Sequence, residues 1–205
     1  MRTSIRVGAA AIGLAATLGG CGVLGGVTTG GTTETATSGF VGPATVPMDW
    51  APVPIPPNAA LAQEARRVCV DSGAAAEAQL RQLIIQDQRA ADGALLVWDA
   101  GSLVVTCLVS RGPGGALTVS GMGSATSGPP GPALAAGLTA GGPPTVVVGA
   151  AGRGTRVQLE LSDGTTVTAS VGGGRFAAWW PSNATVVRVR SFDNSGGLVE
   201  SVDLR

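Results

Sequence analysis

The chain of 205 residues contains no histidine, no tyrosine and no lysine. Without histidine it has no Ser-His-Asp or Cys-His relay of its own and no imidazole to hold zinc or iron. Without lysine it forms no Schiff base and no Ser-Lys dyad. Carboxylates, hydroxyls and arginine are the groups left for chemistry. Charge is also scarce. Charged residues make up 13% of the chain, and the 13 basic residues, all arginine, balance 13 acids. Aromatics are 3% and cysteines number three. On these grounds no catalytic residue, no metal ligand and no cofactor is assigned.

The N-terminus has the parts of an export signal. Arg2 and Arg6 precede residues 7–20, which are apolar or small and carry no charge. That run is shorter than the ~20 residues of an ordinary transmembrane helix. It closes on Leu18-Gly19-Gly20-Cys21, an aliphatic residue, two small ones and a cysteine. This segment resembles the lipobox of bacterial lipoproteins. The resemblance implies cleavage before Cys21, acylation of its thiol and new amino group, and a partner membrane reached through that lipid anchor. The location implied is the extracytoplasmic side of the cell membrane. A plain secretory signal or an uncleaved anchor is the alternative. Loss of residues 1–20 would leave 11 arginines against 13 acids, a net charge near −2. That balance argues against nucleic acid as a partner and against electrostatic binding to anionic lipid heads.

Lipidation of Cys21 would leave Cys69 and Cys107 as an even pair in an oxidising compartment, which predicts one disulfide. In the chain-entropy model a bridge over that separation contributes about 4 kcal/mol. A reactive dithiol and a buried free pair are the other readings.

Residues 21–57 read as a tether. Its first half is rich in glycine and threonine, and such chains behave as flexible coil. Its second half contains Pro43, Pro47, Pro52, Pro54, Pro56 and Pro57, which favour a stiffer, extended chain. Met48, Trp50, Val53 and Ile55 are too apolar for a pure spacer and are expected to lie against the folded body. A docking strip for a partner's aromatic groove is the alternative.

Residues 58–121 read as an α+β module. Asn58 caps a helix over 59–71, with Leu61, Ala65, Val68 and Cys69 at helical spacing and Gly73 as the stop. A strand meander follows. In it Leu103, Val105, Cys107 and Val109 share one face. Residues 122–144 are glycine, alanine, serine and proline with almost no other chemistry, and are expected as a linker or long loop. Residues 145–205 alternate apolar and polar, with a hairpin turn at Asp163-Gly164. The expected fold class is α+β, mostly β: an N-terminal helix stapled by a disulfide to a β-meander, then a small antiparallel sandwich-like module.

In that last module, Asp163-Gly164, Val167, Ala169, Val171 and residues 174–181 (Gly-Arg-Phe-Ala-Ala-Trp-Trp-Pro) look like a segment found in uncharacterised exported proteins of high-GC Gram-positive bacteria. The likeness covers about 60 residues and brings no activity with it.

Trp179 and Trp180 are the candidate contact surface, because neighbours on a strand face opposite ways and one core does not easily hold both. The other reading is that each face is covered. Asp87, Asp92 and Asp99 lie close in sequence and could supply a glycosidase carboxylate pair, or serve as turn residues, with Asp87 paired to Arg89. Asp193, Asn194 and Ser195 offer oxygen ligands but lack the spacing of a calcium loop and read as a turn. Residues 149–154 lack the spacing of a phosphate-binding fingerprint. The functional expectation is a non-enzymatic binding or structural role in the cell envelope, with an envelope protein or cell-wall glycan as partner. A carboxylate-only hydrolase of envelope glycan and a solute-binding lipoprotein are the alternatives.

Overall fold

The computed structural model describes residues 36–39, 49–73, 82–99, 103–126, 134–140 and 143–204. The fold is mostly β, with two antiparallel sheets and one helix among the described residues. The helix, α1 (Ala59–Asp71), starts where expected. The Asn58 side chain accepts hydrogen bonds from the backbone N–H groups of Ala60 and Leu61, which the first helical turn cannot satisfy internally. The chain leaves α1 through Gly73 at φ +76°, a conformation glycine adopts without a Cβ penalty.

The first sheet has five strands in the order β1-β5-β4-β3-β2. These are β1 (Ala36–Gly39), β2 (Gln82–Ala90), β3 (Gly93–Asp99), β4 (Leu103–Arg111) and β5 (Leu117–Thr126). Its outer face carries Ala94, Leu96, Trp98, Val105, Cys107, Val109 and Leu117, packed on Leu61, Ala65 and Cys69 of α1. The Cys69–Cys107 disulfide joins the helix to β4, as expected, with the Cα atoms 6.1 Å apart.

The second sheet has seven strands in the order β12-β11-β8-β9-β10-β7-β6. They are β6 (Leu134–Ala140), β7 (Thr145–Ala151), β8 (Arg156–Leu161), β9 (Thr166–Gly172), β10 (Arg175–Trp180), β11 (Val186–Phe192) and β12 (Leu198–Asp203). Its first and last strands touch, so it curls on itself. The concave side encloses Val147, Val157, Leu159, Val167, Phe176, Ala178, Trp180 and Val189. From the other side of β7 and β10, Val146, Val148, Ala177 and Trp179 pack onto Ile85, Leu95, Val97, Val104 and Leu108 of the first sheet. Strands β3, β4, β7 and β10 are thus covered on both faces. This explains why their sequences read as near-continuous apolar runs rather than alternating ones.

Two stretches differ from the sequence expectation. In 122–144, expected as a linker, β5 continues to Thr126 and β6 pairs with β7 along its length. Within 21–57, expected as a tether, Ala36–Gly39 forms β1 against β5, whereas residues 49–57 lie on the body, as their apolar residues led one to expect, and follow β2. Strand β1 is thus one edge of the first sheet, and residues 49–58 lie along the other, β2.

The sheets approach closely where β2 passes the end of β9 and the turn into β10. A Cβ built on Gly172 would lie inside 3.0 Å of the Ile84 carbonyl oxygen, a fixed backbone atom. Gly172→Ala is therefore expected to force β2 off the turn and to lower stability by about 1–3 kcal/mol, as overpacking does. Denaturant unfolding checks this. A variant as stable as wild type would mean that the sheets do not meet there.

Candidate functional site

A buried polar construction lies between the sheets, at a fork in the second one. Strand β9 changes partner along its length: residues 166–169 pair with β8, and residues 170–172 pair with β10. Beyond the fork β10 runs on with β7 alone, so Thr168 turns its N–H and C=O towards no neighbouring strand. Buried main-chain groups must find partners. Here they come from outside the sheet. Pro52 O accepts from Thr168 N at 2.9 Å, and Arg89 Nη2 donates to Thr168 O at 2.5 Å.

Arg89 is fully buried. The same Nη2 donates to Asp87 Oδ2 at 2.7 Å, and Nη1 donates to Pro52 O at 2.8 Å. Asp87 and Arg89 stand two residues apart on β2, so both side chains project from one face towards the second sheet. Burial pushes the Asp87 carboxyl above its ordinary 3.8. The Arg89 charge and hydrogen bond, and more weakly Ser170, pull the other way.

The segment from Asp49 to Asn58 lies across this fork as a strap. Trp50 Nε1 donates to Trp179 O at 3.0 Å, and its ring packs against both the inter-sheet core and the core of the curled sheet. Ala51 N donates to Arg89 O at 2.7 Å and Ile55 N to Gln88 O at 2.8 Å. Asp49 Oδ2 accepts from Ala91 N at 2.9 Å, and Gln88 Oε1 accepts from Asn58 N at 2.8 Å. The expectation that the apolar residues of this stretch lie on the body holds for Trp50 and in part for Ile55. Val53 points outward at 53% exposure, and Met48 lies outside the described residues.

The sequence candidates fall elsewhere. Trp179 and Trp180 do face opposite ways, but they are not a contact surface: each is 1% exposed. Trp179 is held between the sheets, and Trp180 lies inside the curled sheet with Nε1 donating to Ala184 O. A strand sandwiched on both faces buries both neighbours. The three aspartates do not converge. Asp87 is closed by Arg89. Asp92 sits at the β2–β3 turn on Arg111, which also holds Glu64 of α1. Asp99 ends β3, 3.7 Å from Arg175. Asp92 and Asp99 lie at opposite ends of β3, about 20 Å apart at ~3.3 Å per residue.

Asp193 serves its own turn. Its Oδ1 accepts from Ser195 N, Ser195 Oγ and Gly197 N, which holds its carboxyl below the ordinary range. Among the described residues there is no cluster of three or more metal-ligating side chains. Residues 149–154 end β7 and begin a turn. Cys21 lies outside the described residues. Sequence reasoning missed the fork, Thr168 and Pro52, whose roles are main-chain ones. Arg89 carried a signal, an arginine two residues from an aspartate inside a strand, but not its other two partners, the carbonyls of Pro52 and Thr168.

No family model, curated protein or solved structure matches this chain.

Arg89→Leu is expected to lower stability by about 3–5 kcal/mol, because Asp87 then stays buried without its counter-charge. A loss under about 1 kcal/mol in denaturant unfolding would place the pair in solvent. The Asp87 shift has its own signature. A carboxyl with a raised folded-state pKa binds its proton more tightly in the folded chain. It stabilises most below 3.8, and that contribution is lost as pH rises through the raised value. The stability of wild type relative to Asp87→Asn should therefore fall as pH rises from below 3.8. Parallel stability–pH curves for the two proteins would refute the shift.

Proposed function

We propose that this protein is a lipid-anchored component of the bacterial cell envelope, exposed on the extracytoplasmic side, with a non-enzymatic binding or structural role. The observation that carries the reading is Leu18-Gly19-Gly20-Cys21 closing an uncharged run behind Arg2 and Arg6. An export route into an oxidising compartment agrees with the Cys69–Cys107 disulfide. The lipid would do the anchoring: among the described residues no helix is long and apolar enough to cross a membrane.

The binding role is favoured over a glycan hydrolase by the state of the acids. A glycosidase pair needs carboxyl groups ~5–10 Å apart in one cleft. Asp87, Asp92 and Asp99 are each closed by a separate arginine in separate places. An envelope protein is the partner this reading puts first, and cell-wall glycan the second.

The anchor is tested by intact-mass spectrometry of the exported protein. The expected species begins at Cys21 and carries acyl chains. Cys21→Ala should lack them and move from the membrane fraction to the soluble one. An exported wild-type chain without acyl groups, or with residues before Cys21 still attached, overturns the proposal.

A further inference from the structure

The strap at residues 49–58 is built differently from everything it touches. Its partners Gln88, Arg89, Thr168 and Trp179 belong to β2, β9 and β10, strands fixed in ladders and covered by two cores. The strap itself has no ladder. It makes separate hydrogen bonds through Asp49, Trp50, Ala51, Pro52, Ile55 and Asn58, and Pro52, Val53, Pro56 and Pro57 are exposed. Prolines at 52, 54, 56 and 57 keep such a segment extended without internal hydrogen bonds, so little order is lost when it leaves. What it would leave behind is a formed receptor: the carbonyls of Gln88, Arg89 and Trp179, the N–H of Thr168, and a guanidinium fixed by Asp87.

We propose that the β2 edge and the β9–β10 fork form a binding site for an extended protein segment, and that the strap is its releasable cover. The site takes a chain that offers an aromatic N–H donor, then a carbonyl two residues on, then a backbone N–H three residues further, as Trp50, Pro52 and Ile55 do. Recognition is by strand-edge addition, with main-chain hydrogen bonds for affinity and the indole pocket for selectivity. The inference rests on the binding reading above and names the partner's chemistry, but it needs no lipid anchor.

The test uses the full chain and a labelled synthetic peptide of residues 49–58, so the result is independent of whether Cys21 is acylated. In wild type the tethered strap competes at an effective concentration of ~mM, so peptide should bind at least about tenfold more weakly than to Trp50→Ala, whose own strap has lost its anchor. Fluorescence polarisation reads this. Absence of peptide binding to a Trp50→Ala protein that keeps its circular dichroism and disulfide overturns the proposal. If that variant does not fold, amide exchange on wild type decides. The N–H groups of Ala51, Ile55 and Thr168 should exchange by local opening well before those of β3 and β4. Exchange of all of them together, only on global unfolding, overturns it equally.

Discussion

One guanidinium holds the place where two sheets of different curvature share a core. Taking a charge out of water is costly, and a buried ion pair offsets that cost only when the remaining donors are also engaged. Arg89 meets the condition through its two terminal nitrogens, with an adjacent carboxylate and two carbonyls, one from the strap and one from the fork, while its buried Nε has no hydrogen-bond partner. The geometry around it follows. The curled sheet, with Trp180 and Phe176 in its core, opens between β9 and β10 before Ser170. The opening strands Thr168, and Arg89 and Pro52 close the gap from the facing layer. A hydrophobic pair could fill the same volume, but it would leave the Thr168 carbonyl without a donor.

Much of the fold was legible because local chemistry and global packing agree. Asn58 and Gly73 bracket a helix whose apolar stripe must face something, and Cys69 on that stripe fits Cys107 on a strand face of Leu103, Val105 and Val109. The alternation in β8 and β9 announces strands with one solvated face. Strand β6 was not legible because Leu134 to Ala140 is built of alanine, glycine and threonine with two leucines, so it shows no contrast of period two. The indole pair shows the limit of such reasoning. Period two places Trp179 and Trp180 on opposite faces, but only the non-local arrangement, one sheet packed outside and another curled inside, says that both faces are covered. That the strap lies on the body was legible from Trp50 and Ile55, but its place was not: proline-rich composition reports stiffness, while docking depends on acceptors contributed by distant strands.

For function, the chemistry concentrated at the fork is that of main-chain recognition. Its donors and acceptors are peptide groups and one guanidinium, arranged to fit another peptide. Among the acids weighed from the sequence, Asp87, Asp92 and Asp99 are each paired with an arginine and Asp193 serves its own turn.

The paired edges carry a further consequence. In the five-stranded sheet residues 49–58 lie along the β2 edge, while in the seven-stranded sheet the terminal strands β12 and β6 rest against each other. Open ladders are templates on which neighbouring copies zip together. While residues 49–58 stay in place, the β2 edge is closed to a neighbouring copy by the molecule's own chain.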